Sequence, residues 1–301
     1  MLDRAVAVRP VRARARAGRR LVALAYVAPA ALVYFAFAIW PAVHTVGLSF
    51  VHWDGILPAT WAGLENYADV FRDPTLGPAL WHAIILILFF AVIPCALGLL
   101  MTGLLHGGIR GMTAFRVIFF LPQVLPLVAV GITWRWLYNE DGLVNQGLRW
   151  IGLGGTARAW LGDYDFALIA LGLVGTWAMS GLCMVLFLAG AQKVDTSLYE
   201  AVAIDGGGPI RRFFTVTLPA LRGEITIASV ITTIAALASF DLVFVTTNGG
   251  PVNRTTVPGL LVYRLAFNEG DIGRASALAV VLTLVVIVFV TVIRVLTREK
   301  A

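Results

Sequence analysis

The chain has 301 residues, of which 59% are hydrophobic and only 13% are charged, and its mean hydropathy is +0.85. Soluble domains carry about 25% charged residues, so this composition excludes a soluble enzyme and indicates an integral membrane protein. The net charge is +6, and residues 1–20, with seven Arg and one Asp, account for all of it. A basic tail before an apolar run is an orientation signal in membrane proteins and does not indicate nucleic-acid binding.

Six stretches without Asp, Glu, Lys or Arg reach or approach the length of about 20 residues that a membrane helix needs. They are residues 21–53, 74–109, 117–134, 166–192, 225–240 and 275–293. Asp241 interrupts the fifth, after which the apolar pattern resumes. The first contains 23 uncharged residues in 21–43, too many for the apolar core of a signal peptide. We therefore expect an all-α integral membrane domain of six helices over residues 21–301.

The basic residues between these spans are unevenly distributed. Segments on the side of the amino terminus hold 16 Lys and Arg, whereas segments on the opposite side hold 7. By the positive-inside rule, both termini are cytoplasmic, and residues 1–20 form a cytoplasmic tail. An even number of spans also requires both termini on one side. The exterior segments are then about 51–77, 139–165 and 246–271.

Few residue types that carry enzyme chemistry lie within the spans. Cys95 and Cys183 lie in apolar runs without a CxxC or Cys/His pattern, so we interpret them as packing residues. No convergent His, Asp or Glu residues are visible inside the spans. The sequence therefore predicts neither a catalytic site nor a metal site.

One cytoplasmic segment, at about 192–222, is longer than a turn. Gly206 to Gly208 would end a first helix, and Pro209 would start a second over 211–218. Glu200 stands three residues after Ser197, as in a capping box. Three residues are candidates for the first helix cap: Asp195, Thr196 and Ser197. The segment is predicted to be a helix–glycine–helix element, which by itself is also compatible with an amphipathic helix in the lipid interface.

The spacing within this segment is specific. Glu200-Ala201-Val202 is followed after three residues by Gly206, and nine more residues lead to Val216-Thr217-Leu218-Pro219. This resembles the EAA loop of binding-protein-dependent ABC importer permeases, written EAA, three residues, G, nine residues, I-x-L-P. Val202 and Val216 depart from that pattern by mild apolar replacement. Further short motifs follow in the order typical of the sugar-importer branch: Trp53-Asp54-Gly55, residues 63–67, 119–122, 134–138 and 188–190, Phe240-Asp241, and residues 247–251.

The resemblance implies the type I ABC importer permease fold and one half of a heterodimeric permease in a bacterial cell membrane. It implies as partners a second homologous permease, two copies of an ATPase subunit and an extracytoplasmic solute-binding protein. Glu200 would cap its helix or pair with an arginine of the ATPase. The residues implied in coupling to the ATPase are Glu200, Ala201, Asp205, Gly206, Arg211, Leu218 and Pro219.

The chain lacks the GxxxxGK[ST] motif, and neither Lys193 nor Lys300 follows a glycine loop. We therefore expect that this chain is not an enzyme and carries no cofactor of its own. ATP and Mg²⁺ would be used by the partner ATPase.

Polar residues within the spans are candidates for the substrate path, because polar groups facing lipid are costly. Trp177 is the most suggestive of them, since sugars bind aromatic faces. The candidates are Gln123, Trp177, Ser180, Ser239 and Asp241. Hydrogen bonding between packed helices is the alternative role for each of them. For Asp241, near the outer end of its span, a structural role is favoured.

The implied function is import of a sugar or a sugar-like solute. A permease for another solute, such as a polyamine or a phosphate ester, remains open. A secondary transporter driven by an ion gradient would need carboxylates at the membrane midplane or internal repeats, which are not visible here. A membrane-embedded enzyme would need convergent ionisable residues within the spans.

Overall fold

The computed structural model describes residues 25–105 and 111–297. The predicted basic tail at 1–20 lies outside the described residues. The helices are α1 (Ala25–Leu48), α2 (Glu65–Arg72), α3 (Leu76–Leu104), α4 (Met112–Val124), α5 (Leu127–Leu137), α6 (Leu143–Trp150), α7 (Ala167–Ala191), α8 (Thr196–Ile204), α9 (Pro209–Ala220), α10 (Arg222–Leu237), α11 (Phe240–Thr246), α12 (Pro258–Tyr263, with a wider turn at Arg264–Asn268) and α13 (Ile272–Thr297). A small antiparallel hairpin pairs β1 (Val51–His52) with β2 (Thr60–Trp61).

Four of these helices, α1, α3, α7 and α13, are long and apolar enough to cross a membrane, with 24 to 29 residues each. Two bent pairs add to them: α4 and α5 meet at 101°, and α9 and α10 meet at 69°. By length and composition alone, with each bent pair counted as one span, the described chain has the six spans that the sequence predicts, although α9 itself falls in the predicted cytoplasmic segment at 192–222.

The third predicted span is bent because of its prolines. α4 ends at Val124, and Leu125 takes an extended conformation with ψ of 137°. A residue before proline is disfavoured in the helical region, and Pro126 has no N–H to continue the helical bonding. The fifth span is broken as well, since α10 ends at Leu237 and α11 begins at Phe240. Asp241, which interrupts the charge-free stretch in the sequence, lies in the first turn of α11, and the sequence did not predict the break before it.

The helix α7 lies at the centre of the packing. Its apolar side chains at Leu171, Val174, Met184 and Phe187 are almost completely buried. Cys183, also in α7, faces Cys95 of α3 with 3.8 Å between the two Sγ atoms, and both thiols are free. The predicted role of the two cysteines in packing is confirmed.

Glycines allow neighbouring helices to approach α7 closely. A Cβ atom at Gly175 would meet the ring of Phe90 in α3, and one at Gly181 would meet the backbone carbonyl of Phe119 in α4. At Gly190 a Cβ atom would meet Leu221, directly before α10. These three contacts fix the arrangement of α3, α4 and α10 around α7.

The three predicted exterior segments contact one another. The backbone N–H of Ile272 donates to the carbonyl oxygen of Trp53 at 3.0 Å. The guanidinium of Arg254 lies 3.8 Å from the ring centroid of Tyr164. We call the surface formed by residues 51–75, 138–166 and 247–271 the connector face. Because α7 starts at this face and has 25 residues, its other end lies about 37 Å away at 1.5 Å per residue.

Candidate functional site

The segment at 192–222 begins with a capped helix. The Asp195 carboxylate accepts a hydrogen bond from the backbone N–H of Ser197 at 2.9 Å, so Asp195 is the cap of α8. Hydrogen bonds from Ser197 lower the pKa of this carboxyl, which favours the ionised capping form. Glu200 is therefore the fifth residue of the helix and not the third. The predicted capping box is wrong, because the cap lies two residues earlier than Ser197.

The glycines end α8 as the sequence predicts. Gly206 has φ of +73°, in the left-handed region that glycine adopts without steric cost. Its backbone N–H donates to Ala203 at 3.0 Å, and the N–H of Gly207 donates to Val202 at 2.8 Å. This pair of bonds is the Schellman motif, which satisfies the last carbonyl groups of a helix. Pro209 then starts the second helix, which is longer at each end than the predicted 211–218.

Side chains tie the two helices of the segment together. The hydroxyl of Tyr199 in α8 lies 3.1 Å from Oγ1 of Thr217 in α9. The Nε–H of Arg212 donates to the carbonyl oxygen of Gly207 at 3.1 Å. The sequence does not predict these bonds, because their partners lie 18 and 5 residues apart and motif spacing does not specify them. The result is a braced element, which we call the coupling segment (residues 192–221).

The coupling segment is also attached to the spans. Nζ of Lys193 lies 3.3 Å from Oε1 of Glu224 in α10. A Cβ atom at Gly103 of α3 would lie 3.1 Å from the ring of Phe213 in α9. An open cavity of about 400 Å³ lies between α3, α8 and α9, and Glu200 is among its lining residues. A force on this segment would therefore reach α3, α7 and α10.

The outward side of the coupling segment is apolar and exposed. Ile204 is 87% exposed, Ile210 is 76% exposed and Phe214 is 59% exposed. Six of the seven predicted coupling residues are exposed as well: Glu200, Ala201, Asp205, Gly206, Arg211 and Pro219. The seventh, Leu218, is half-buried. Exposed apolar side chains within a polar surround are typical of a surface that binds another protein.

The predicted substrate-path residues lie mostly at the two helix breaks. Gln123 is in the last turn of α4, and its buried Oε1 has no hydrogen-bond partner in the part of the chain that the structure describes. Ser239 lies between α10 and α11, and its buried hydroxyl likewise has no partner among the described residues. Asp241 is exposed in the first turn of α11. These polar groups are the kind that a broken helix presents to a cavity.

The half-helices that follow the two breaks pack together. A Cβ atom at Gly131 of α5 would lie 3.3 Å from Thr246 and 3.4 Å from Leu242, both in α11. Trp177 of α7 is 41% exposed and meets the ring of Trp134 in α5 edge-on, with 5.5 Å between centroids. The structure thus packs α5 against α11 on one side and against Trp177 of α7 on another.

Ser180 is placed differently from the other path candidates. It is buried, and its hydroxyl donates to the carbonyl oxygen of Thr176 within the same helix. Thr176 in turn donates to the carbonyl oxygen of Phe89 in α3 at 2.6 Å. These bonds favour the packing role that the sequence left open for Ser180.

On the connector face, an arginine that the sequence analysis missed organises the turn at 247–257. The Nη2 of Arg264 donates to the carbonyl oxygen of Asn248 at 2.6 Å, and its Nη1 donates to Oδ1 of Asn253 at 3.0 Å. Asn248 and Asn253 both have positive φ, as does Val252. The motif at 247–251 signalled this turn, but nothing in the spacing pointed to Arg264.

Comparison with known proteins finds a matching transport family and similar transport permeases. Residues 95–299 match the family model described as "Binding-protein-dependent transport system inner membrane component". The chain is 34% identical to the sulfoquinovosyl glycerol transport system permease protein SmoG of Agrobacterium fabrum, over 88% of this chain and 86% of that protein. It is 32% identical to the multiple sugar-binding transport system permease protein MsmF of Streptococcus mutans, over 85% and 87% of the two chains.

A solved structure has the same fold. A chain of the bacterial alginate ABC transporter in complex with alginate pentasaccharide-bound periplasmic protein superposes with a TM-score of 0.79 at 21% identity. The match covers 95% of this chain and 97% of that one. The family match covers more than half of the chain and includes the whole coupling segment. The chain therefore belongs to the inner membrane components of binding-protein-dependent transport systems, the permeases of ABC importers.

Proposed function

We propose that this chain is one permease subunit of an ATP-driven importer that carries a sugar or a sugar-like solute into a bacterial cell. The observation that carries the proposal is the coupling segment, an exposed apolar element that is braced internally and attached to three spans. The named solutes of the relatives, sulfoquinovosyl glycerol and multiple sugars, support a saccharide as the solute.

The coupling segment docks on a separate ATPase subunit, which binds ATP and Mg²⁺. Ile204 and Ile210 supply apolar contacts, and Glu200 supplies a charge that suits an arginine of the ATPase. When the ATPase subunits close, they displace α8 and α9 as one body because of the bond between Tyr199 and Thr217. The ion pair of Lys193 with Glu224 passes this displacement to α10.

The solute passes alongside α5, α7 and α11. Trp177 offers an aromatic face for a sugar ring, and Gln123, Ser239 and Asp241 offer polar groups for hydroxyls. A second, homologous permease completes this path from the other side. The helix α1 contacts lipid or that second permease, because none of the residues in its most apolar stretch is buried within this chain.

The connector face lies outside the cell and receives the solute from an extracytoplasmic binding protein, whereas the coupling segment and both termini are cytoplasmic. The unequal numbers of basic residues on the two sides, 16 and 7, support this orientation. The alginate transporter in complex with its periplasmic protein supports the binding protein as a partner.

The test is affinity purification of the tagged chain from its native host in mild detergent. We expect an ATPase subunit and a second permease to co-purify with the wild type. Ile204→Asp, which places a charge in the proposed interface, is expected to lose the ATPase. Ile56→Asp is the matched control, because Ile56 is 88% exposed but lies on the connector face. Absence of an ATPase from the wild type would overturn the proposal and favour a gradient-driven carrier.

A further inference from the structure

Seven arginines lie on the connector face or within three residues of its ranges, and all but one of them have a partner among the described residues. Six of them contact a carboxylate, an amide oxygen or an aromatic ring: Arg72 with Asp69, Arg149 with Asp141, Arg158 with Asp163, Arg254 with Tyr164, Arg264 with Asn253, and Arg274 with Asp73. Arg135, in the last turn of α5, makes no such contact with any residue that the structure describes. Its guanidinium is available to a group outside this chain.

Arg135 lines a cavity of about 470 Å³ between the end of α5, residues 159–162 and residues 246–251. None of the residues lining this cavity is acidic. Asn139 lies beside Arg135 in the lining and uses its Oδ1 to accept a bond from the N–H of Glu140. Its side-chain NH₂ has no partner within the described ranges. The cavity therefore combines a free guanidinium with free amide donors and no competing carboxylate.

The cavity lies at the outer end of the path proposed above. Thr246, in its lining, ends α11, the half-helix that begins beside Asp241. Trp134, the residue before Arg135, meets Trp177 edge-on. A solute that enters alongside the outer ends of α5 and α11 therefore passes the Arg135 side chain before it reaches Trp177.

The helix dipole does not explain why Arg135 has no ion-pair partner among the described residues. A cation in the last turn of a helix is stabilised by the dipole, and Arg149 at the end of α6 has this position too. Arg149 nevertheless also faces the Asp141 carboxylate at 4.0 Å. A guanidinium without such a partner is suited to bind a carboxylate, sulfonate or phosphate through two parallel hydrogen bonds.

We propose that this cavity is an entrance subsite for an anionic group on the solute, with Arg135 binding the anion and Asn139 donating to a neighbouring oxygen. The inference rests on the proposed import function and specifies its substrate class as acidic saccharides. A lipid phosphate offers the same chemistry, so the test has to separate the two sources.

The test is saturation-transfer NMR on the full chain, with the membrane subunits that co-purify but without a binding protein, in phosphatidylcholine nanodiscs. The probes are D-glucuronate and D-glucose, which differ in a carboxylate. We expect glucuronate to bind more tightly than glucose, and Arg135→Gln to weaken glucuronate binding about tenfold while leaving glucose unchanged. Arg149→Gln, a neighbouring arginine outside the cavity, is the control and should bind glucuronate as the wild type does.

Equal binding of the two probes, or glucuronate binding that Arg135→Gln leaves unchanged, would overturn the inference. Nanodiscs with phosphatidylglycerol test whether Arg135 binds a lipid phosphate. Displacement of glucuronate by that lipid would show that Arg135 is a lipid-binding residue and would contradict the proposal. Arg135→Lys, which keeps the charge, is the second variant if the glutamine variant does not fold. If the ATPase still co-purifies while glucuronate binding is independent of Arg135, only this inference fails and the import function stands.

Discussion

Two glycines in the turn of the coupling segment differ in their backbone φ angle. Gly206 has φ of +73°, whereas Gly208 has φ of −72° and is the cap residue before Pro209. Neither has an atom within 4 Å of the position that a Cβ would take. Any difference between substitutions at the two positions therefore reports backbone conformation and not crowding.

We predict that Gly206→Ala disturbs the coupling segment, because alanine in the left-handed region costs about 1–2 kcal/mol. Gly208→Ser should be tolerated, since serine is a favoured helix cap. ATPase activity of the co-purified complex is the measurement, with expected loss in Gly206→Ala and wild-type activity in Gly208→Ser. Equal activity of the two variants would show that the positive φ is not required.

A second pair of glycines tests the packing around α7. At Gly181 a Cβ atom would run into the backbone carbonyl of Phe119, which has no rotamer to escape to. We expect Gly181→Ala to destabilise the protein by about 1–3 kcal/mol through overpacking. Gly147→Ala in α6, where no atom lies within 4 Å, should be neutral or stabilising because alanine is the better helix former. Thermal unfolding in detergent measures both, and a stable Gly181→Ala variant would refute the close packing.

At the scale of elements, the sequence predicts a helix end well where one or two residues determine it. Pro126 breaks the third span, and Gly206 and Pro209 separate α8 from α9, each within its own turn. The cap of α8 was left among three candidates, because Asp195, Thr196 and Ser197 are all good cap residues. Which of these side chains accepts the capping hydrogen bond from the backbone of α8 depends on where the chain leaves α7.

Contacts between distant residues were not predictable from the sequence alone. The hydrogen bonds of Tyr199 to Thr217 and of Arg264 to Asn248 and Asn253 form only when the helices are packed. No motif spacing encodes these pairs. The isolation of Arg135 was equally hidden, since the sequence shows seven arginines on one side and does not show which six have partners.

The turn at 247–257 is the element whose stability depends most on one side chain. Arg264→Gln removes the two hydrogen bonds that Arg264 makes to Asn248 and Asn253. We expect faster amide hydrogen exchange in residues 248–256, because these bonds hold backbone of positive φ. Exchange in α8 should stay the same and serves as the internal control. Unchanged exchange in the turn would show that its own threonine hydrogen bonds suffice.

At the scale of the whole molecule, the two surfaces that we propose to bind partners lie at opposite ends of α7. The connector face holds the Arg135 cavity and the turn organised by Arg264, whereas the coupling segment presents Ile204 and Ile210. Composition and the charge-free stretches predicted the membrane class and the span count, because burial in lipid constrains every residue of a span. The same constraint does not encode the bends of 101° and 69°, the first of which arises locally at Pro126.

The most direct test of ATPase docking on the coupling segment is photocross-linking in native membranes with p-benzoylphenylalanine at position 210 or 267. Ile210 and Phe267 are both 76% exposed, but the first lies on α9 and the second on the connector face. We expect a cross-link to the ATPase subunit from position 210 and none from position 267. A cross-link to the ATPase from position 267, or its absence from position 210, would contradict the assignment of the coupling segment.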